Sequence, residues 1–341
     1  MKTILKLSTF LLLICFTFSC SKDDDDQDKP EAVTHVYAVG HEYNGVNSIA
    51  KMWKNGVATP LTDGTNNADA KAIYVIGTDV YVLINEETET SLVPILWKNG
   101  VKSVLSEGTN SNSAESLFVV NNDVFVSGIE VRNYKHHAVL WKNGIKTSLT
   151  DGTNQSGATS VFVANGDVYV AGYEIINNSE YAVLWKNNVK LILNDAVNSG
   201  ASSVFVSGED VYVAGYDYSG SNKARIWKNG NPVYLSNGSN DVVATSVFVS
   251  NRDVYAFGQE YRSDSRIIKM WKNGVETSIS DENEFSFFNS GFVLGNDVYV
   301  GGNKNNEPHP SNARIWKNGI PINLTDGTND ANINGVFVTK N

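Results

Sequence analysis

Seven tryptophans, Trp53, Trp97, Trp141, Trp185, Trp227, Trp271 and Trp316, recur at intervals of 44, 44, 44, 42, 44 and 45 residues, each followed by Lys-Asn. Glycine completes the motif in every repeat except the fourth, where Asn188 stands in its place. A fixed period of this length marks stacked supersecondary units, none of which can bury its apolar face alone. Architecture is therefore far more legible here than function, because repeat scaffolds carry unrelated activities and function has to be argued from a site.

The unit from Ala158 to Asp195 reads as four strands. Ser160-Val161-Phe162-Val163 is strand a, and Asn165-Gly166-Asp167 turns into strand b, Val168 to Gly172. A variable loop of about Tyr173 to Glu180 leads to strand c, Ala182 to Trp185, and strand d is Val189 to Leu193. Asn-Gly between β-rich runs signals a type I′ hairpin, which needs positive φ at both central residues. Asparagine tolerates positive φ, so Asn188 does not break the pattern. No segment has a convincing helical period.

The domain opens at His35 to Gly40, which aligns with strand b, and Gly335 to Val338 aligns with a lone strand a. Joined, they complete a first blade. The expected fold is all-β: a seven-bladed β-propeller with four-stranded antiparallel blades and velcro closure of the C-terminal strand onto the N-terminal strands. With Trp-Lys-Asn-Gly at its centre, the repeat resembles that of seven-bladed β-propeller repeat lipoproteins of Bacteroidetes, over about residues 35 to 340. A tryptophan ending strand c is also a mark of WD-repeat propellers, but the Gly-His and Trp-Asp pairs of that family are missing.

Residues 1–19 read as a secretory signal: Lys2 and Lys6, then an apolar run from Leu11 to Phe18, too short to span a membrane. Phe-Thr-Phe-Ser-Cys resembles a lipobox, with Thr17 where leucine is usual, and this implies that Cys20 is lipidated. With residues 1–19 removed, Cys20 is the only cysteine left, so it has no partner for an internal disulfide. Ser21-Lys22 and Asp23 to Asp26 resemble a surface-export signal; otherwise they are a hydrophilic spacer. Residues 20–34 then act as an acidic tether of roughly 20 Å r.m.s. reach. The expectation is an outer-membrane lipoprotein exposed at the cell surface and joined to the membrane through its lipid. Net charge is −10, or −12 once Lys2 and Lys6 are removed, which argues against a nucleic-acid partner.

Strand alternation puts the a–b and Lys-Asn-Gly turns on one face and the varied b–c and d–a loops on the other, where recognition is expected. The tryptophans lie on the tight-turn side. Inter-blade packing with a hydrogen-bonded indole nitrogen is expected of them, against a ligand platform as the alternative. The seven lysines that follow them and aspartates such as Asp79, Asp167 and Asp297 read as a solvated surface. Just past strand b, Glu42, Glu86, Glu130, Glu174, Asp217 and Glu260 form an acidic ring broken only by Lys304. Such a ring would focus negative potential on a cationic partner, or else repeat a structural capping role. Phe285, Phe287 and Phe288 replace polar residues in one loop; either Phe287 and Phe288 belong to a ligand site or they plug the junction of the sixth and seventh blades. Asp63, Asp151 and Asp326 open Asp-Gly-Thr-Asn loops, with Glu107 in a variant. Calcium is conceivable there, and an Asx-type turn is the plainer reading. His136-His137 and Pro308-His309-Pro310 read as solvated loops, and no metal-ligand spacing is present.

Hydrolase, zincin and phosphate-loop motifs are absent. The expected function is a non-catalytic binding or scaffold module for a glycan or protein ligand. The alternative is a carbohydrate-active hydrolase or lyase using carboxylates at the propeller mouth.

Overall fold

The structure, a computed structural model, describes residues 32–106, 110–193, 198–306 and 309–341, with the side chain of His309 left aside. Cys20, the proposed signal and most of the tether lie outside these residues, as do Glu107 and Pro308. Residues Thr34–Asn341 form one compact unit.

Twenty-eight strands make seven four-stranded antiparallel blades. Strand a of the first blade is the last in the chain: Ala331–Lys340 pairs with Thr34–Tyr43, matching Val336 with Ala38 and Val338 with Val36. The closure expected from the chain ends is therefore present, and no blade lacks a strand. Blades 2 to 7 occupy 68–104, 111–148, 155–192, 199–234, 241–278 and 285–323. Blades 6 and 7 also touch through one parallel pair, Arg266 and Phe285.

The a strands line the axis, each against the next around the ring. Each presents one aromatic residue there: Tyr74, Phe118, Phe162, Phe205, Phe248, Phe292 and Phe337. Neighbouring rings stand 4.6–5.3 Å apart, within the range for tilted aromatic contacts, and the seven close a circle. They stopper the channel toward the a–b turns, so its polar end opens on the opposite face.

Seven apolar clusters fill the seven blade junctions. The strand-c tryptophan sits in each, and all but Trp97 are essentially inaccessible to solvent. Packing therefore accounts for the tryptophans, but the expected indole hydrogen bond forms at Trp271, to Glu276 at 3.2 Å, and is missing at Trp53, Trp141, Trp185 and Trp227. The reason is the cross-strand neighbour. Glu276 offers an oxygen, whereas Ala58, Lys146, Lys190 and Pro232 face the other four.

The rest of the motif builds the tight-turn face. The asparagine after each lysine has φ of 47–52°, as a type I′ turn demands. Each lysine lies 4.7–5.4 Å from a strand-b ring centroid, from Tyr37 to Tyr299. In blades 2 to 7 the lysine also pairs with the turn aspartate at 2.7–3.5 Å. The solvated-surface expectation thus resolves into a clasp, repeated around the rim.

One expectation about the other face is corrected. The b–c connections are not long loops. Strands b and c run on into hairpins, with turns of two residues in blades 3 and 4, Asn133-Tyr134 and Asn177-Asn178, all at positive φ. Strand ends, not loops, therefore shape the mouth.

Candidate functional site

The acidic ring does not face the mouth as free charge. Glu130, Glu174, Asp217 and Glu260 are only 3–6% exposed, and each is held by cations of its own blade. Lys146 and Arg132 bind Glu130 at 2.7 and 3.0 Å, Lys190 binds Glu174 at 2.6 Å, and Lys269 and Arg262 bind Glu260 at 2.9 Å. Arg225 and Tyr234 hold Asp217, and Lys51 holds Glu42 at 2.6 Å. Asparagines of the d–a loops complete the grip: Asn66 donates to Glu86, Asn110 to Glu130, Asn154 to Glu174 and Asn240 to Glu260. Burial would raise the Glu130 carboxyl, but the bonds from Lys146 and Asn110 and the charges of Lys146 and Arg132 hold it below the ordinary glutamate value. Glu260 is likewise lowered against its burial, by Arg262, Lys269 and Asn240. These acids clasp the d–a loop to the sheet, which is a structural role, although not the b–c amide cap expected.

Two substitution patterns within the chain support that role. Where strand c carries Lys51, Arg225, Lys269 or Arg314, strand d has Ala58, Pro232, Glu276 or Pro321. Where strand c carries Ile95, Val139 or Val183, strand d supplies Lys102, Lys146 or Lys190. One cation per blade is kept, from either strand. In blade 7 the signs are exchanged: Lys304 occupies the acid's position and Glu284 the asparagine's, and the two pair, with Arg314 adding a bond to Glu284 at 3.1 Å. Lys304→Glu alone should cost roughly 1–3 kcal/mol by leaving a carboxylate against Glu284. Adding Glu284→Asn recreates the arrangement of the other blades and should restore most of the loss. Denaturant midpoints of the single and double variants check this, and a double variant no better than the single one would refute the clasp.

The other candidates divide. Phe288 is buried at 4% exposure and stacked on Phe257, so it belongs to the junction of blades 6 and 7 and cannot meet a ligand there. Phe287 is half-buried under the Arg266 guanidinium at 4.6 Å, and Phe285 is the exposed one of the three. His137 is buried in strand c, not solvated, and burial lowers its pKa. His136 Nδ1 stands 3.3 Å from the Tyr173 hydroxyl. The loop aspartates make Asx turns: Asp63, Asp151 and Asp326 accept from the amides of Thr65, Thr153 and Thr328 at 2.9–3.0 Å.

A different ring faces the axis above the aromatic stopper. Every strand a carries a bulge, and the extra residues are Lys71, Glu115, Thr159, Ser202, Thr245, Asn289 and Asn334. A bulge leaves its residue unpaired and re-aims its side chain, here into a cavity of about 200 Å³. The bulges explain a strand-b glycine. A Cβ on Gly172 would stand 2.0 Å from the carbonyl oxygen of Gly157, and Gly128, Gly215, Gly258, Gly302 and Gly40 meet the same obstruction. Blade 2 alone carries a side chain there, Ile84.

The charged bulge residues lie on one side of the mouth. Lys71 and Glu115 also line a deeper cleft of about 520 Å³ with His41, Asp69 and Glu87. Asp69 receives Lys71 Nζ at 2.9 Å, His41 Nδ1 at 2.9 Å and the Asn334 amide. Burial would raise the Asp69 carboxyl, but the bond from His41 and the charge of Lys71 hold it below the ordinary aspartate value. Burial would depress Lys71, yet Asp69 and Glu115 keep it raised. Across the mouth the walls are aromatic: Tyr173 and Tyr216 lie over Gly157 and Gly200, and the Tyr216 hydroxyl donates to Glu180 at 3.0 Å. Burial raises both Glu180 and Tyr216. Sequence reading missed this site. Its signal was available: the bulge position changes chemistry while alanine precedes it in blades 2 to 6 and a small residue follows it, as in Ala70-Lys71-Ala72, Ala114-Glu115-Ser116 and Ala158-Thr159-Ser160.

The fold is that of a seven-bladed β-propeller with a polar mouth at one end of a stoppered channel. No protein-family model matches the sequence, and no curated protein matches it significantly. Among solved structures, TolB from Acinetobacter baumannii aligns over 89% of this chain and 82% of its own, at 10% identity and a TM-score of 0.47. A putative TolB from Agrobacterium tumefaciens aligns over 91% and 99%, at 9% identity and a TM-score of 0.44. A Trypanosoma rangeli sialidase in complex with sialic acid aligns over 83% of this chain and 55% of its own, at 9% identity and a TM-score of 0.46. Scores at this level assign neither kinship nor function.

Proposed function

We propose that this protein is a non-catalytic binding module of the outer membrane, anchored through a lipid on Cys20 and displayed at the cell surface, which takes a glycan or protein ligand at the polar mouth. One observation carries this reading. Nearly every repeated polar position is committed to the fold, whereas the bulge position changes residue type around the ring and at two adjacent blades places charge, Lys71 and Glu115, in one cavity. The volume of about 520 Å³ falls within the range of about 300–1,000 Å³ typical of ligand pockets.

A hydrolytic reading would use Asp69 and Glu115 as its carboxylate pair. Held ionised by His41 and Lys71, Asp69 could serve there only as base or nucleophile, and Glu115 would have to give the proton to the leaving group. A glycan array and a pull-down with the intact protein test the proposal. Saturable binding without turnover, weakened when Lys71 and Glu115 are replaced, is the expected result. A ligand crosslinked to the Lys-Asn-Gly face would refute the site, and turnover lost with Asp69 would establish the enzyme instead. Cys20→Ala should release the protein from membranes; membrane association that survives this change rules out the anchor.

A further inference from the structure

Three of the bulge residues act alike, each donating to the carbonyl that precedes the next blade's bulge. Thr159 reaches Ala201 at 2.9 Å, Asn289 reaches Ile333 at 2.9 Å and Asn334 reaches Ala70 at 3.0 Å. Glu115 cannot do this, since a carboxylate has nothing to donate. Lys71 does not do it either. It turns to Asp69, and Asn85 makes the inter-blade bond in its stead, donating to Ala114 at 3.0 Å. The two charged members of the ring are thus released from holding it together, and both line the same cleft.

The cleft exists because side chains that fill other junctions are missing here. Strand c begins at this junction with Ser48, where His136, Glu180 and Arg266 occupy the equivalent places. Asn85 stands where Tyr173 and Tyr216 overlie their glycines. Three carboxylates, Asp69, Glu87 and Glu115, face a single lysine. That lysine and His41 are engaged with Asp69, and Asn67 donates to Glu87 at 3.1 Å. Glu115 makes no hydrogen bond or ion pair among the described residues. An unpaired carboxylate in a net-negative, partly enclosed cleft selects a cation. The walls say what should carry it. Leu92 and Ala68 are the two aliphatic side chains among eleven lining residues, so polar side chains predominate. The hydroxyls of Ser48 and Ser113 suit a carrier rich in hydroxyl groups.

We propose that this cleft binds the ammonium group of an unacetylated amino sugar, with Glu115 as its counter-ion and Ser48 and Ser113 facing the ring hydroxyls. The proposal rests on the mouth being the binding face and adds the class of ligand. Titration of the intact protein with glucosamine, N-acetylglucosamine, glucose and lysine methyl ester, followed by ligand-observed NMR, tests it. Glucosamine should bind saturably and roughly tenfold or more tighter than the other three, as expected if one charge contact supplies the difference. Glu115→Gln should remove that preference and shift the melting temperature little, since Glu115 makes no hydrogen bond or ion pair among the described residues and acts on Lys71 only through its charge. Equal binding of N-acetylglucosamine or glucose, a preference that survives Glu115→Gln, or no binding of glucosamine would each overturn it. Equal binding of the lysine ester would show that the ammonium is read without the sugar, and would overturn it too. An array ligand that contacts the mouth but carries no amine, with glucosamine inert, would end this proposal and leave the mouth as the binding face.

Discussion

Deleting residues 335–341 should abolish cooperative folding, not merely trim a strand end. Those residues supply most of strand a of the first blade, paired with Thr34 to Val39. Val336 and Val338 are buried between blades 7 and 1, and Phe337 is one of the seven aromatics that stopper the channel, touching Tyr74 and Phe292. Losing these three side chains alone forfeits on the order of 5 kcal/mol of burial. That is comparable with the whole stability of many domains. It also exposes the inner edge of Thr34–Tyr43 and uncouples the first and last blades, so the loss propagates through nearest-neighbour interfaces. Far-UV and near-UV dichroism during denaturant unfolding would measure it. A truncated protein with the midpoint of the full chain would rule out closure as the source of ring stability.

Much of this ring was legible because each blade repeats the same local chemistry. Asn-Gly fixed the c–d hairpin, and the phase difference between His35 and Gly335 fixed the closure. Both are short-range signals that a backbone rule translates directly into geometry. The acids misled for an instructive reason. Position alone placed Glu130 and Glu174 near the mouth, but whether a carboxylate faces solvent or a lysine depends on what strands c and d supply. The exchange between Val139 with Lys146 and Arg225 with Pro232 contained that answer, in residues eight to sixteen places away. Phe288 misled differently. It lies in strand Phe285–Leu294, not in a loop, at the position that is buried in every other blade, just before the bulge at Asn289, and a bulge is not visible in a hydrophobic pattern. The same bulges hid the true lining of the mouth, because Lys71 and Glu115 look like ordinary strand residues until their side chains are re-aimed. Burial of the aromatic stopper went unread for a related reason: Phe162 sits in a plain apolar strand, and only ring closure brings it against Phe118 and Phe205.

Trp185→Ala should cost about 3–5 kcal/mol, the range for truncating a fully buried large aromatic. Trp185 is inaccessible to solvent and bridges two blades. Its cluster holds Phe125, Ala138 and Leu140 from blade 3 and Ala158, Val161 and Val170 from blade 4. The indole nitrogen has no protein acceptor, so its removal breaks no hydrogen bond and the loss is one of packing and cavity formation. The blade is pinned on both sides by closed neighbours, so the surroundings can collapse only slightly into the space, which favours the upper part of that range. Trp97→Ala provides the internal comparison. Trp97 is only partly buried at the junction of blades 1 and 2, and the same truncation there should cost clearly less. If both variants lose the same stability in urea titrations, the tryptophans act through something the two sites share, such as the tight turn beside them, and inter-blade packing is not what fixes the repeat.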